Sequence, residues 1–572
     1  MPQPYIPACS SRTDHNKNRS RGFGTANAFV GFFRLFTLSL ALTLGAGAAN
    51  AVEVRFEFGP RAAPVANGEP GLDAIENGRV TVRSVSLKGR PVEFPDLGIS
   101  RARLEQILVR HIRKNEGHMS VSDMHRMADE LTLFYREQGL SFAEVYVTPQ
   151  EIIQGHLVMD VVIGLLSELR LVGNAHYGTD QILDAFNGLL LAPVFAPDIE
   201  AALERLNRLP GLEVFGVFSM GTHPGETRLN LKVREDNPRE TLLRLDNHGI
   251  KNTGKYRAIL QHKEHNLFRT GGSFTATAMT TEEGGNLFGG LSYRQPVGLA
   301  HTFAASVSHN QFAINGEFEA LGLQGTLQDA TMGWEYLPEH SPAYNATLGL
   351  NVSGRKADII SDEFRELLES DYQYVAITPF IRLEQSKARW RLRHVLNISP
   401  SFGSILDSTN TELEDQYLIL KTNYTLRHQW LKDAPEYQIS FAFDAQYSAD
   451  PLPASERQSL TGPSQVRGFD AGLYSADSHY RVSLMQTLYR YDWGSAWQLV
   501  PYTYTDYAYG QKELETTDEA SFLSAGLGLE FAYGKRIQAG LNWGYAIDSS
   551  IKPETGADEA ESALYGYLST RF

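Results

Sequence analysis

The chain has 572 residues, with 52 Lys and Arg against 67 Asp and Glu, and a formal net charge of −15 at pH 7. An acidic protein of this kind repels phosphate backbones, so nucleic acid is excluded as a partner. Its length exceeds that of one small domain, and we therefore expect several folding units.

The first 51 residues have the pattern of a secretory signal peptide. A basic region at 12–21 precedes an apolar run from Leu35 to Leu44 and the small residues Ala49 and Ala51. The run has about ten residues, whereas a spanning helix needs roughly 20, so a membrane anchor is the poorer interpretation. We predict a signal peptide at 1–51, with the mature chain beginning at Val52.

The one cysteine, Cys9, falls inside the predicted signal. The mature chain would then have no thiol to mispair in an oxidising periplasm. No later stretch approaches the length of a spanning helix, and only helices and closed barrels satisfy every backbone group within a bilayer. The protein is therefore either a membrane barrel or a large periplasmic or secreted β protein.

Residues 52–79 are rich in Gly, Pro and Ala and have no helical period, which predicts a linker. Residues 80–164 and 165–237 then repeat one β-α-α-β-β order. In the first copy, Ser120-x-x-Asp123 predicts the start of the second helix and Gly139 its end. Each copy is long enough to fold independently, and its strand edges could accept an extended peptide by β-augmentation.

Residues 238–572 lose the helical period and alternate apolar with polar residues. We count 16 segments of about ten residues, the pattern expected when one strand face meets lipid and the other an aqueous lumen. Three of them begin near Tyr256, Ala346 and Ile537. The last one places Leu568 and the final Phe572 on one face, as is common in outer-membrane barrels.

The connections between these segments alternate in length. Gaps after odd-numbered segments are long and gaps after even-numbered ones are short, which is typical of barrels with external loops and periplasmic turns. The long gaps include 311–325, 355–372 and 448–478, and the short ones include 385–388 and 532–534.

The sixth long gap, 448–478, contains Gln465-Val466-Arg467-Gly468-Phe469, and Asp506 lies in the second segment after it. An Arg-Gly pair alone could equally be a solvated arginine at a loop tip. Within a barrel pattern and with an acid at that position, it favours a loop folded into the lumen.

This order of elements resembles the transporters of two-partner secretion systems, the hemolysin and hemagglutinin exporters. Further matches are Asp246-Asn247-x-Gly249 with Thr253-Gly254-x-x-Arg257, Tyr293-x-x-Pro296-Val-Gly298 and Gly526-Leu-Gly528-Leu. The resemblance implies α+β polypeptide-transport-associated (POTRA) repeats at 80–164 and 165–237. It also implies a 16-stranded antiparallel transmembrane β-barrel at 238–572 in the outer membrane of a Gram-negative bacterium, with the POTRA units in the periplasm.

In that family the loop arginine meets an aspartate of the thirteenth strand within Phe-x-Asp-x-Gly. The stretch here is Tyr504-Thr-Asp506-Tyr-Ala508, which keeps the acid and replaces both neighbours. Residues 504, 506 and 508 have one parity, so we expect them to face the lumen. The family's N-terminal plug helix is not evident in 52–78. The predicted site residues are Val466, Arg467, Gly468, Phe469, Asp506, Tyr504, Ala508 and the C-terminal Phe572.

No catalytic, cofactor or metal site is predicted. Gly249-x-x-x-x-Gly254-Lys255 is close to a phosphate-binding loop, but Tyr256 replaces the Ser or Thr needed for Mg²⁺. His262 and His265 lack a further ligand at metal spacing, and we interpret them as exposed hairpin residues.

The function this predicts is export of one unfolded secreted protein, captured by the POTRA units and passed through the barrel. The expected partners are a secreted exoprotein with an N-terminal transport domain, outer-membrane lipid and lipopolysaccharide, and the barrel-assembly machinery and periplasmic chaperones during biogenesis. Two alternatives remain open. One is an insertase that assembles other barrels, and the other is a general porin or receptor.

Overall fold

The computed structural model describes residues 78–572 except 90–91, 224, 299, 341–342, 362–369, 388–389, 410–412, 430–436, 495, 514–517 and 553–561. The predicted signal peptide at 1–51 and nearly all of the predicted linker at 52–79 lie outside the described residues. So does the stretch in which a plug helix was sought.

The first repeat builds a three-stranded sheet covered by two helices. Amphipathic stripes bury Leu104, Met127 and Tyr135 between helices and sheet. The sheet order is β2-β5-β4, with β2 parallel and β4 antiparallel to β5. The elements are β1 Arg79–Thr81, β2 Ser84–Lys88, α1 Arg101–Lys114, β3 His118–Ser120, α2 Val121–Glu137, β4 Glu144–Tyr146 and β5 His156–Val162.

The second repeat has the same topology. Its sheet order is β6-β8-β7, with β6 parallel and β7 antiparallel to β8. Its first helix gives way to a 3-10 turn at Asp184–Phe186. The elements are β6 Leu165–Val172, α3 Thr179–Leu183, α4 Ala196–Leu206, β7 Leu212–Met220 and β8 Glu226–Glu235.

Sixteen antiparallel strands follow and close a barrel by pairing the last with the first, which confirms the predicted fold class. The twelfth strand has two parts, β22 and β23, while β20 and β21 form a small hairpin in the loop before it. The bounds are β9 Arg239–Asp246, β10 Arg257–Leu267, β11 Gly272–Thr281, β12 Asn286–Val297, β13 His301–Ala313, β14 Leu323–His340, β15 Tyr344–Ser361, β16 Ser370–Lys387, β17 Leu392–Ser408, β18 Gln416–Gln429, β19 Gln438–Ser448, β20 Gln458–Ser459, β21 Ser475–Ala476, β22 Ser478–Thr487, β23 Tyr491–Trp493, β24 Trp497–Lys512, β25 Asp518–Tyr533, β26 Ile537–Lys552 and β27 Ala563–Arg571.

Several strands are much longer than the predicted ten residues. β14, β15 and β16 each have 18 residues. The loop predicted at 311–325 shrinks to 314–322, and β15 and β16 extend into the loop predicted at 355–372, up to Ser361 and from Ser370. Alternation identifies only the part of a strand that faces lipid. Beyond the bilayer the ladder continues as a paired hairpin whose outer face no longer has to be apolar.

The two histidines predicted as exposed hairpin residues lie instead within β10 and are half-buried. His262 Nδ1 is 2.9 Å from Thr241 Oγ1 on the neighbouring strand β9. The glycine-rich stretch before them is the first external loop, where the Gly249 N–H donates to the Lys255 carbonyl at 2.9 Å. A strand rather than a helix follows it, so the helix N-terminus of a phosphate-binding loop is missing there.

None of the helices described here is long and apolar enough to cross a membrane. Within the same residues, no group of three or more His, Cys, Asp or Glu side chains could hold a metal ion.

Replacing Ser120 with Ala should destabilise α2 by about 0.5–2 kcal/mol, because its side chain caps the helix. Ser120 Oγ accepts from the Asp123 N–H at 3.2 Å, and the Ser120 N–H donates to Asp123 Oδ2 at 3.0 Å. Hydrogen exchange of peptides from α2 measures the change. Ser100→Ala is the matched control, since Ser100 precedes α1 without making a side-chain cap bond. Equal exchange in both variants would contradict the assignment.

Candidate functional site

The connection between β19 and β22, residues 449–477, folds into the barrel, and we call it loop 6. Its tip, residues 461–472, turns back on itself through the bond from the Gly462 N–H to the Val466 carbonyl at 3.2 Å. Val466 and Phe469 are both buried in a cluster with wall residues of β24, β25 and β26. The predicted motif therefore lies against the barrel wall.

Arg467 and Asp506 form a bidentate ion pair. Arg467 Nε donates to Asp506 Oδ2 at 2.7 Å, and Nη2 donates to Oδ1 at 2.8 Å. The side chain of Arg467 is 13% exposed and that of Asp506 is 0% exposed. Two parallel charge-assisted bonds fix the guanidinium plane as well as its distance from the wall.

The carboxylate of Asp506 accepts two further bonds. The Arg467 N–H donates to Oδ2 at 3.2 Å, and Ser483 Oγ, on β22, donates to Oδ1 at 2.6 Å. These bonds satisfy a group that would otherwise be costly to remove from water. Ser483 carries no sequence signal of its own, and only the register of β22 beside β24 reveals it.

Burial alone would lower the pKa of Arg467, but the hydrogen bond and charge of Asp506 outweigh it and raise that pKa above its usual value. The guanidinium therefore stays charged. Its carbon atom Cζ lies 3.5 Å from the centre of the Tyr504 ring, which is a cation–π contact.

Tyr504 occupies the place of the family's phenylalanine and keeps its aromatic face toward Arg467. Its added hydroxyl donates to Asn542 Oδ1 on β26. Ala508 occupies the place of the family's glycine and is fully buried in the cluster around Val466. Both departures from the family pattern are thus accommodated by neighbouring residues.

Gly468 sits where the tip backbone meets the wall. Its φ is +118°, a conformation that favours glycine. A Cβ there would lie 2.9 Å from Ser524 Cβ. On the wall, a Cβ at Gly544 would lie 2.5 Å from the Gly468 nitrogen, so two glycines face each other. Sequence analysis did not identify Gly544. A glycine at an inward-facing strand position, here between Trp543 and Tyr545, can mark a close approach of another backbone and could have identified it.

Phe469 packs its ring edge-on against Phe522 of β25, with centroids 5.1 Å apart. Its carbonyl accepts from the Tyr565 hydroxyl on β27 at 2.6 Å. Phe572 does not join this site. Its side chain is exposed, and its backbone exchanges bonds with Thr241 at the seam between the last and first strands.

Comparison with known proteins gives matches over most of the chain. Residues 225–531 match the family model described as haemolysin secretion/activation protein ShlB/FhaC/HecB. The heme/hemopexin transporter protein HuxB of Haemophilus influenzae (strain 86-028NP) is 23% identical over 475 residues, 79% of this chain and 81% of that protein. The hemolysin transporter protein ShlB of Serratia marcescens is 24% identical over 385 residues, 63% of this chain and 65% of that protein.

Among solved structures, CdiB from Escherichia coli superposes with a TM-score of 0.67 at 16% identity, covering 90% of this chain and 94% of that one. CdiB from Acinetobacter baumannii superposes with a TM-score of 0.61 at 15% identity, covering 96% and 98%. At these identities the likeness establishes the fold alone.

Replacing Gly544 with Ala should push the loop tip away from the wall, because the new methyl group would overlap the Gly468 backbone. Overpacking typically costs about 1–3 kcal/mol. Amide exchange of peptides from 461–472 should therefore accelerate roughly 5- to 150-fold. Gly289→Ala on β12 is the control, since a Cβ there meets open space. Unchanged exchange in the Gly544 variant would mean that the tip is not held at this contact.

Proposed function

Because the chain belongs to the haemolysin secretion/activation family ShlB/FhaC/HecB, we propose that it exports one secreted partner protein in an unfolded state, captured by its POTRA units and passed through its barrel. Membership in this family confirms the predicted two-partner secretion transporter and its outer-membrane location. The proposal of export through the barrel rests on one observation. Loop 6 lies inside a wide barrel and is held at its wall by the buried Arg467–Asp506 ion pair.

The lumen offers a path for an extended chain. A barrel of 16 strands is wide enough for an aqueous channel when nothing fills it. On the inner face of β14–β18 a cavity of about 700 Å³ is lined by amides and hydroxyls together with the charged side chains of Arg294, Glu335, Arg382 and Glu384. Such a polar lining offers hydrogen-bond partners to a passing backbone. The residues include Asn345, Asn351, Thr378, Asn397, Asn423 and Thr425, and Arg208 of the second POTRA unit also borders the cavity.

Capture is assigned to a strand edge of the POTRA units, where an extended peptide would add as a further strand. Several edges are already occupied by the chain itself. The Val145 N–H of β4 donates to Thr132 Oγ1 at 2.9 Å, and the Val214 N–H of β7 donates to Asn207 Oδ1 at 2.6 Å. The Leu191 N–H donates to the Leu166 carbonyl at the start of β6. The outer edge of β2 and the remainder of β6, residues 168–172, are the candidate docking edges that these contacts leave.

Other partners follow from the same proposal. Large apolar side chains of the strands point outward, among them Leu260, Phe303 and Leu541, and would contact lipid and lipopolysaccharide. The barrel-assembly machinery and periplasmic chaperones would act during biogenesis. Folding of the partner outside the cell would supply direction, so no nucleotide is required.

Arg467→Ala and Asp506→Ala should each strongly impair secretion of the co-expressed partner. Breaking a buried pair costs about 3–5 kcal/mol, whereas an exposed pair contributes roughly 0–1 kcal/mol. The double variant should be little worse than either single one, because both lose the same interaction. Asp470→Ala is the control, since Asp470 lies in the same tip but is half-exposed and 3.8 Å from Lys255. Normal secretion in both single variants would remove the loop anchor from the mechanism.

Removing residues 80–233 should abolish export while leaving the barrel folded, because capture precedes passage. Partner protein in the culture medium measures export, and heat-modifiable migration in gels reports the folded barrel. A bare barrel that exports at the normal rate would refute the capture role.

A further inference from the structure

Glu456 lies in the first part of loop 6, well before the tip, and its carboxylate is almost fully buried, with a side chain 7% exposed. Oε1 accepts from Arg355 Nη1 of β15 at 2.9 Å, and Oε2 accepts from Lys421 Nζ of β18 at 2.9 Å. The Tyr374 hydroxyl of β16 also donates to Oε1 at 2.9 Å. One loop carboxylate thus bonds to three different strands.

The charges in this cluster balance. Arg355 Nε also donates to Asp329 Oδ2 of β14 at 2.6 Å. Two acids therefore face two cations while the loop is docked. If Glu456 leaves, one acid remains against two partly exposed cations, Arg355 at 27% and Lys421 at 37% side-chain exposure, and the cluster is no longer neutral.

Apolar contacts surround the ion cluster. Leu452 is fully buried among Tyr374, Tyr417 and Ile419 on the wall of β16 and β18. The Ser455 N–H donates to the Tyr372 hydroxyl at 3.1 Å. We call residues 450–457 the proximal segment, and it lies on β15–β18.

The tip uses different strands. Its partners Ser483, Asp506, Phe522 and Gly544 belong to β22, β24, β25 and β26. The apolar clusters of the two parts have no residue in common. Loop 6 therefore contacts two separate groups of strands. The proximal segment is held on β15–β18 by the Glu456 cluster, and the tip is held on β22–β26 by the Arg467–Asp506 pair.

The proximal segment is also tied to the base of the loop. Arg457 Nε donates to Asp477 Oδ1 at 2.9 Å, and the Leu452 N–H donates to the same oxygen at 3.0 Å. The side chain of Gln446 donates to the carbonyls of both Glu456 and Asp477. These bonds hold the segment to the ends of β19 and β22 whatever the position of the tip.

We propose that Glu456 is a second positioning residue for loop 6, which holds the proximal segment on β15–β18 independently of the Arg467 anchor. Release of the tip then opens the β22–β26 side of the lumen while the proximal segment stays in place. The consequence for transport rests on the proposed export function, but the independence of the two anchors does not.

Single-cysteine labelling tests this in the purified full-length barrel. Cys9, the one cysteine of the sequence, falls inside the predicted signal peptide, so the mature protein would carry the introduced reporter as its single thiol. Leu452→Cys and Val466→Cys then report separately on the proximal segment and the tip, since both side chains are 0% exposed. The probe is a water-soluble maleimide.

Glu456→Gln should raise the labelling rate at position 452 by at least about tenfold, because a buried charged bond is lost, and leave position 466 at the wild-type rate. Arg467→Ala should do the reverse. Asp470→Asn, which removes a half-exposed carboxylate from the tip, should change neither rate.

Two results would overturn the proposal. One is wild-type labelling at position 452 in Glu456→Gln, and the other is exposure of both reporters by either single variant, which would make the loop one cooperative unit. Lys421→Gln removes a partner and keeps the loop sequence, so it gives the same answer if Glu456→Gln fails to show heat-modifiable migration. The labelling rates do not depend on export. A failure of the export proposal is therefore distinguished from a failure of the two-anchor proposal.

Discussion

A guanidinium and a carboxylate buried inside a barrel restrict the positions of the groups around them. The Arg467–Asp506 pair keeps its charges out of water only while Ser483 and the Arg467 N–H complete the carboxylate shell. That geometry requires the tip backbone to touch the wall, which in turn requires glycine at both 468 and 544. The positions of Tyr504 and Phe522 follow from the same contact, because each covers one side of the docked motif.

A second buried carboxylate with charged partners lies close to the tip, at the seam where the first and last strands pair. Asp246, whose side chain is 0% exposed, accepts from Arg257 Nε at 2.8 Å and from Arg244 Nε at 2.8 Å. Beyond the end of β9, the side chain of Asn247 donates to the Leu564 carbonyl and accepts from the Gly566 N–H. An amide side chain thus extends the ladder between the first and last strands. The Asp-Asn pair noticed in the sequence belongs to barrel closure.

Sequence alone predicted the elements that repeat and missed those that depend on register. Alternation and loop length were enough for 16 strands, the repeated β-α-α-β-β order for two repeats, and parity with Tyr504 and Ala508 for an inward-facing Asp506. Ser483 and Tyr565 could not be assigned, because their roles depend on which strand lies beside which and by how many residues it is shifted. His262 was placed wrongly for the same reason, since its partner Thr241 comes from the neighbouring strand. Glu456 had no signal, as its three partners lie on three strands far away in the chain.

Two charge clusters on separate groups of strands, β15–β18 and β22–β26, make a loop that is easier to release in parts than as a whole. Breaking both at once would add their desolvation costs, whereas breaking one leaves the other fully satisfied. The tip is the more easily released part, because Arg457 and Gln446 form hydrogen bonds that hold the proximal segment at the loop base. A lumen opened only beside β22–β26 would be narrower than an empty barrel, which suits an extended chain better than a folded one.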